Sequence, residues 1–249
     1  MEKLSSGQEG SRLLLFDIDG TLLLSGGAGK RALNRAFSEL FGVGDAFADI
    51  PVAGRTDSLI FDHALERAKF ETNQESKDDF FRRYFGYLEE EIVEPGPKKG
   101  LMPGVKNLLE EIQVRSNLVI ALLTGNFSRA AEIKLRHFGL WHYFLCGSYG
   151  DDAEGRDGLV PIAVDRAREL GVSVMLPSDV VVIGDTPLDV RCAQVVGASS
   201  IGVATGSFSE QVLRDAGAGA VVPDLSDCSR FLSCVDGVTT GSFLETDLS

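Results

Sequence analysis

Three observations in this 249-residue sequence predict a three-layer α/β fold, in which a parallel sheet covered by helices on both faces is interrupted by a helical module. Leu13-Leu14-Leu15-Phe16 is an apolar run without polar alternation, the pattern of a strand buried on both faces. From about Pro103 onward, strand-like and helix-like segments alternate. Between these two regions, helical periodicities follow one another with no strand among them.

Taken in order, the first strand runs into Asp17-Ile18-Asp19-Gly20-Thr21, and Leu22 to Lys30 reads as a glycine-rich hinge. The hinge lacks the spacing of a nucleotide-binding phosphate loop. Leu33, Ala36, Phe37, Leu40 and Phe41 mark an amphipathic helix from Ala28 that stops at Gly42. A second helix is predicted from about Asp57 to Lys69 behind Thr56-Asp57. A third spans about Asp78 to Val93, with Phe81, Tyr84, Phe85, Leu88 and Ile92 on one face. Glu94 to Gly100 has linker composition.

Pro103-Gly104 opens the next helix, and Leu118 to Leu123 is a buried strand ending in Thr124-Gly125-Asn126. Ser128 is expected to cap a helix ending at Gly139, followed by a short strand around Tyr143 to Cys146, a polar loop from Gly147 to Gly158 and a helix starting at Pro161. Val180 to Ile183 is a strand leading to Gly184-Asp185-Thr186-Pro187-Leu188-Asp189 and a helix up to Gly197. Ser200 to Ala204 and Ala220 to Val222 read as the last strands. The expected division is a loose tail at 1–10, an α/β core at 11–25 and 101–235, a helical insertion at 26–100, and a loose tail from 236 to 249.

Hydrophobic residues at 44% and charged residues at 24% are ordinary for a globular protein, and the net charge of −13 argues against a nucleic-acid partner. No apolar run is long enough for a membrane span, and the polar first residues do not resemble a secretion signal. The four cysteines, Cys146, Cys192, Cys228 and Cys234, have no metal or redox spacing, so a reduced cytoplasmic protein is expected.

The chemistry concentrates at strand ends. Residues i and i+2 of a strand point the same way, so Asp17 and Asp19 leave the first strand side by side, two like charges that need a cation, a shared proton or a chemical task. Parallel strands bring Thr124, Asp185 and Asp189 to the same sheet edge. Asp185 alone could cap the following helix, whereas a second acid one turn on is not explained by capping. Convergent carboxylates suit Mg²⁺, while His63, His137 and His142 show no ligand spacing for zinc.

The ordered set Asp17-x-Asp19-Gly20-Thr21, Thr124-Gly125-Asn126, Arg156 and Gly184-Asp185-Thr186-x-x-Asp189, with helices inserted after the first strand, resembles the haloacid dehalogenase superfamily. It looks most like the phosphoglycolate phosphatase-like branch with a helical cap on a Rossmann-like core. The resemblance spans about Leu13 to Ala220. It implies an Mg²⁺-dependent phosphatase of a small phosphorylated metabolite, a monomer or homodimer, in which Asp17 attacks phosphorus and Asp19 serves as acid and base. Asp17, Asp19, Asp185 and Asp189 are the implied metal set. Gly20, Thr124, Gly125 and Asn126 would hold phosphoryl oxygens. The third motif usually carries a lysine, but this chain has none after Lys134, so Arg156 is the substitute by position, with a surface-loop arginine as the other reading. Arg55, in Ala53-Gly54-Arg55-Thr56-Asp57, would meet the leaving group or simply sit exposed at a helix start. A phosphoglucomutase-like transferase and a phosphate-binding protein without turnover are the alternatives.

Overall fold

The computed structural model describes residues 11–174 and 177–239. Its first apolar run forms β1 (Arg12–Phe16) at the centre of a six-stranded sheet. Leu14 and Phe16 point to one face and Leu13 and Leu15 to the other, all fully buried. Its neighbours β4 (Leu118–Leu123) and β6 (Val180–Gly184) alternate in concert: Ile120, Leu122, Val181 and Ile183 join the first face, and Ala121, Leu123, Val180 and Val182 the second. A strand that must satisfy two apolar faces can hardly afford a polar residue until it ends. Continuous hydrophobicity therefore places the polar chemistry just past the last buried position.

The sheet runs β5–β4–β1–β6–β7–β8, with every pairing parallel, and is completed by β5 (Gly147–Ser148), β7 (Ser199–Val203) and β8 (Ala220–Val222). On the Phe16 face pack α4 (Val105–Gln113) and α9 (Cys228–Thr239), with Phe231 stacked on Phe16 at 6.1 Å. The opposite face is covered by α6 (Leu159–Glu169) and α7 (Pro187–Val195). Pro187 stands at the first turn of α7, where its missing amide hydrogen costs nothing.

Between β1 and β4 lie α1 (Ala28–Phe41), α2 (Asp57–Ala68) and α3 (Gln74–Glu91), which bury Phe37, Phe61, Phe80, Phe81 and Tyr84 in a separate apolar cluster. Ala130 and Ile133 of α5 (Ser128–His137) complete that cluster from the sheet side, and Phe81 stacks on Phe127 at 4.1 Å. The chain enters and leaves this helical layer through a two-stranded antiparallel ribbon of β2 (Leu23–Leu24) and β3 (Gly100–Leu101), inside the expected hinge and at the end of the expected linker.

Several local expectations shift. The third helix begins at Gln74 rather than about Asp78, because the Asn73 side chain accepts from the Ser76 amide and caps it. Ser128 is not a cap. Phe127 occupies that position without a side-chain bond, and the Ser128 hydroxyl instead donates to Asp151. Around Tyr143 the chain makes a 3-10 turn (Trp141–Tyr143), and the strand forms later, at Gly147–Ser148, taking the start of the expected loop. Pro161 lies inside α6, which starts at Leu159. A short helix, α8 (Glu210–Asp215), and α9 were not anticipated. Helix α9 continues past Asp236, where a loose tail was expected, since Phe231, Leu232 and Val235 belong to the main core. Residues 1–10 and 240–249, which carry the rest of the expected tails, lie outside the described residues.

Candidate active site

The three central strands β4, β1 and β6 end side by side, so Thr124, Asp17 and Asp185 emerge at one edge without any long side chain having to reach. Pairing continues to the last residue, and the Asp17 amide still donates to Ile183 O at 2.9 Å. Oxygens of Asp17, Asp185 and Asp189, all buried, lie within 4.8 Å of one another. Arg156 reaches this cluster from the turn before α6. Its Nη2 stands 2.9 Å from Asp17 Oδ1 and also donates to Asp189 Oδ1. Burial works against the guanidinium, but the charges of Asp189 and Asp17 outweigh it and hold Arg156 more firmly protonated than usual. The bland reading of Arg156 as a surface-loop residue is therefore wrong, since its side chain is only 6% exposed.

One cation does not balance three acids. Burial, then the neighbouring charges of Asp17 and Asp189, push Asp185 up to about 8. Burial likewise drives Asp17 up to about 6, against the opposing pull of Arg156. Among the described residues, the one side-chain donor to Asp185 is Thr21 Oγ1, at 3.2 Å. Crowded, under-donated carboxylates with no histidine or thiol among them form a donor set for a hard divalent cation. Gly20 belongs to the same construction: its φ is +93°, and a Cβ there would fall 2.5 Å from Asp185 Oδ2.

Asp189 differs from its partners. Its Oδ2 accepts from the Thr186 amide at 3.0 Å and from Thr186 Oγ1 at 2.7 Å, while the Thr186 hydroxyl accepts from the first turn of α7. This is a reciprocal capping box, so capping does explain the second acid, contrary to the sequence reading, and Asp185 is not the cap. With Oδ1 on Arg156 and Oδ2 on Thr186, Asp189 holds the arginine in place.

Asp19 also stands apart from the buried trio with which the sequence reading grouped it. Its carboxylate turns to the other side, where Oδ2 accepts from Asn126 Nδ2 at 2.8 Å and from Lys134 Nζ at 2.6 Å. Asn126 in turn donates to Thr124 Oγ1 at 2.8 Å and accepts from Lys134 at 2.6 Å. Lys134 was not singled out from the sequence. The available signal was its position on α5, four residues after Ala130 and on the stripe that contacts the helical layer, where a charged side chain must be buried.

The helical layer closes this edge. The Asp57 amide donates to Gly125 O at 2.9 Å, and Asp57 Oδ2 accepts from the Phe127 amide at 2.9 Å. Burial pushes Asp57 up to about 6, with Lys134 pulling the other way. A Cβ on Gly125 would lie 2.2 Å from Arg55 O, so contact between the layers at this point requires glycine. Between them lies a cavity of about 410 Å³ lined by Asp17, Asp19, Thr124 and Arg156 on one side and by Arg55 and Tyr84 on the other. Arg55 is partly buried and reaches His63 Nδ1 at 3.0 Å.

A family model for haloacid dehalogenase-like hydrolases matches residues 12–197. Phosphoglycolate phosphatase of Pasteurella multocida is 27% identical over 203 residues, 78% of this chain and 86% of that one. Among solved structures, a predicted phosphoglycolate phosphatase from Haemophilus somnus superposes with a TM-score of 0.67 at 20% identity, over 91% of this chain and all of that one. CbbY from Rhodobacter sphaeroides, solved in complex with phosphate, gives 0.67 at 22% identity over 87% of this chain and 96% of that one. These superpositions support the fold, and the match over residues 12–197 establishes the lineage: the chain belongs to the haloacid dehalogenase-like hydrolase family.

Proposed function

We propose that the chain is an Mg²⁺-dependent phosphomonoester hydrolase that acts on a small phosphorylated metabolite through a phosphoaspartyl intermediate on Asp17. The observation that carries this reading is the separation of two acids in one edge: Asp17 sits among buried carboxylates and Arg156, while Asp19 faces the cavity and is paired elsewhere. One is suited to nucleophilic attack and the other to proton transfer.

In the first half-reaction a carboxylate oxygen of Asp17 bonds to phosphorus as the bond to the ester oxygen breaks. Asp19 gives its proton to that departing oxygen, and the alcohol leaves. In the second half, Asp19 takes a proton from water as the water oxygen attacks phosphorus. The bond to Asp17 breaks, releasing inorganic phosphate and restoring the Asp17 carboxylate and the protonated Asp19. Mg²⁺, held by Asp17 and Asp185, would set positive charge against the phosphoryl oxygens. Thr124 and the amides near Gly125 and Asn126 would orient those oxygens, and Gly20 keeps the approach to Asp185 open. Arg156 holds Asp17 in the attacking position, and Asp189 holds Arg156.

The likeness to a phosphoglycolate phosphatase supports phosphoglycolate as the first substrate to try, and Arg55 on the far wall supports an anionic leaving group. The test is phosphate release, with Mg²⁺, from phosphoglycolate, hexose phosphates and p-nitrophenyl phosphate. Asp17→Asn should lower release by about 10³-fold or more, as loss of a covalent nucleophile does. Equal release by that variant would exclude Asp17 as the nucleophile. An isomeric sugar phosphate in place of inorganic phosphate would mark a transferase.

A further inference from the structure

Lys134 occupies a position that none of the roles above accounts for. Its side chain is 6% exposed, and a buried ammonium is retained only where its donors are met by strong acceptors. Two acceptors meet it, Asp19 Oδ2 and Asn126 Oδ1, each at 2.6 Å. The second contact fixes the Asn126 amide, because an oxygen turned toward the ammonium leaves Nδ2 to donate to Asp19 Oδ2 and Thr124 Oγ1. Both donors thus converge on one oxygen of Asp19. Its Oδ1 accepts from no protein donor among the described residues and is left to the cavity that Asp19 lines.

From this asymmetry we infer that Lys134 is a positioning residue for leaving-group protonation: with Asn126 it clamps Asp19 Oδ2, so that Oδ1 is the oxygen that hands its proton to the departing alcohol. The proposal rests on the phosphatase reading. As Asp19 loses its proton, a full negative charge forms on a carboxyl group already held by a fixed ammonium, and no solvent has to reorganise around it. The source of the clamp is the helix that follows the Thr124 strand, so one segment carries both the groups expected to face phosphoryl oxygens and the one that orients the acid.

Leaving-group dependence tests this. An alkyl phosphate such as phosphoglycolate must have its departing oxygen protonated, whereas the phenolate of p-nitrophenyl phosphate departs without a proton. Lys134→Met keeps the apolar stem and removes the charge. It should lower kcat/KM, which reads only the half-reaction that expels the alcohol, about 30-fold or more on the alkyl ester and no more than about threefold on the aryl ester, since general acid catalysis is at stake only in the former. In an Asp19→Asn background the same change should add no more than about twofold, because the two residues act as a unit. Activity on the aryl ester reports that the variant is folded, and Lys134→Gln provides a second variant with a donor but no charge. Equal losses on both esters, an unchanged alkyl rate, or additive losses in the double variant would overturn the assignment. A wild-type enzyme that hydrolyses neither ester would instead overturn the phosphatase reading, and this assignment with it.

Discussion

The sheet wall of the cavity presents Thr124 and Asp17 from the ends of adjacent strands, with Asp185 behind Asp17 at the end of the third, whereas the helical wall presents Arg55 from a loop and Tyr84 from α3. On the first wall, position follows from register: Phe16 pairs with Leu122 and with Ile183, so Asp17 stands level with Leu123 and Gly184, and Thr124 and Asp185 follow one residue further on. On the second, it follows from the packing of a separate aromatic cluster and from a few backbone contacts around Gly125. The sheet wall is thus tied to the stability of the main core, and its groups are buried, charged and mutually paired. The helical wall can vary its lining residues without disturbing a strand. Chemistry on one wall and selection on the other is what such a division favours, and each variant below asks whether the division is real.

The largest effect is expected where fold and chemistry share a residue. Arg156→Ala leaves Asp17 and Asp189 buried without their cation, and removing one partner of a buried pair costs about 3–5 kcal/mol. Urea unfolding should show that loss, and turnover should fall at least about tenfold as Asp17 loses its orientation. Arg156→Lys should recover part of the stability but not the shared contact, because an ammonium cannot reproduce the planar fork. Near-normal kinetics in the alanine variant would detach Arg156 from the site.

Much of the sheet wall was legible in the sequence for the same reason that it is rigid. Buried parallel strands must be apolar to their ends, so Asp17 and Asp185 announce themselves as the first polar residues after Phe16 and Gly184. Lys134 was illegible because a lysine inside a helix reads as solvated. Only the docking of α5 against the helical layer turns it inward, and that contact joins elements distant in sequence. Asp189 was half legible: its spacing from Asp185 was plain, but the reciprocal bond with Thr186 depends on the local turn. The two-residue β5 lies below what periodicity can resolve, and α9 was hidden by its serines and cysteines.

Metal removal should expose the charge imbalance of the sheet wall. In the metal-free chain Asp185 titrates near about 8 and Asp17 near about 6, both above an unfolded aspartate at about 4. The native state therefore keeps protons that the unfolded chain has already released. The stability these groups contribute is fully present below about pH 4 and is lost as pH rises toward 8, at about 1.4 kcal/mol per pH unit for each such group while it stays protonated. Thermal melts in chelator should therefore give a lower Tm at pH 8 than at pH 5.5. Added Mg²⁺ should raise the Tm more at pH 8, where the carboxylates are ready to bind it. A larger Mg²⁺ effect at pH 5.5 would show that the trio is not the ion's site.

The smallest effect tests the helical wall by itself. Among the described residues Arg55 has no carboxylate within salt-bridge distance, and its one side-chain partner is His63, so its charge is open to an anion entering the cavity. Arg55→Ala should raise KM for phosphoglycolate about five- to tenfold, as expected for one charged hydrogen bond, with kcat within about twofold. Stability should move by no more than about 0.5 kcal/mol, because the side chain supports neither apolar cluster. The pattern matters more than the size. A rise in KM alone places Arg55 in binding that ground state and transition state share, which is what a selecting wall does. A fall in kcat comparable with that of Arg156→Ala would mean that Arg55 acts on charge developing during the reaction. The two walls would then be one catalytic surface closed from both sides.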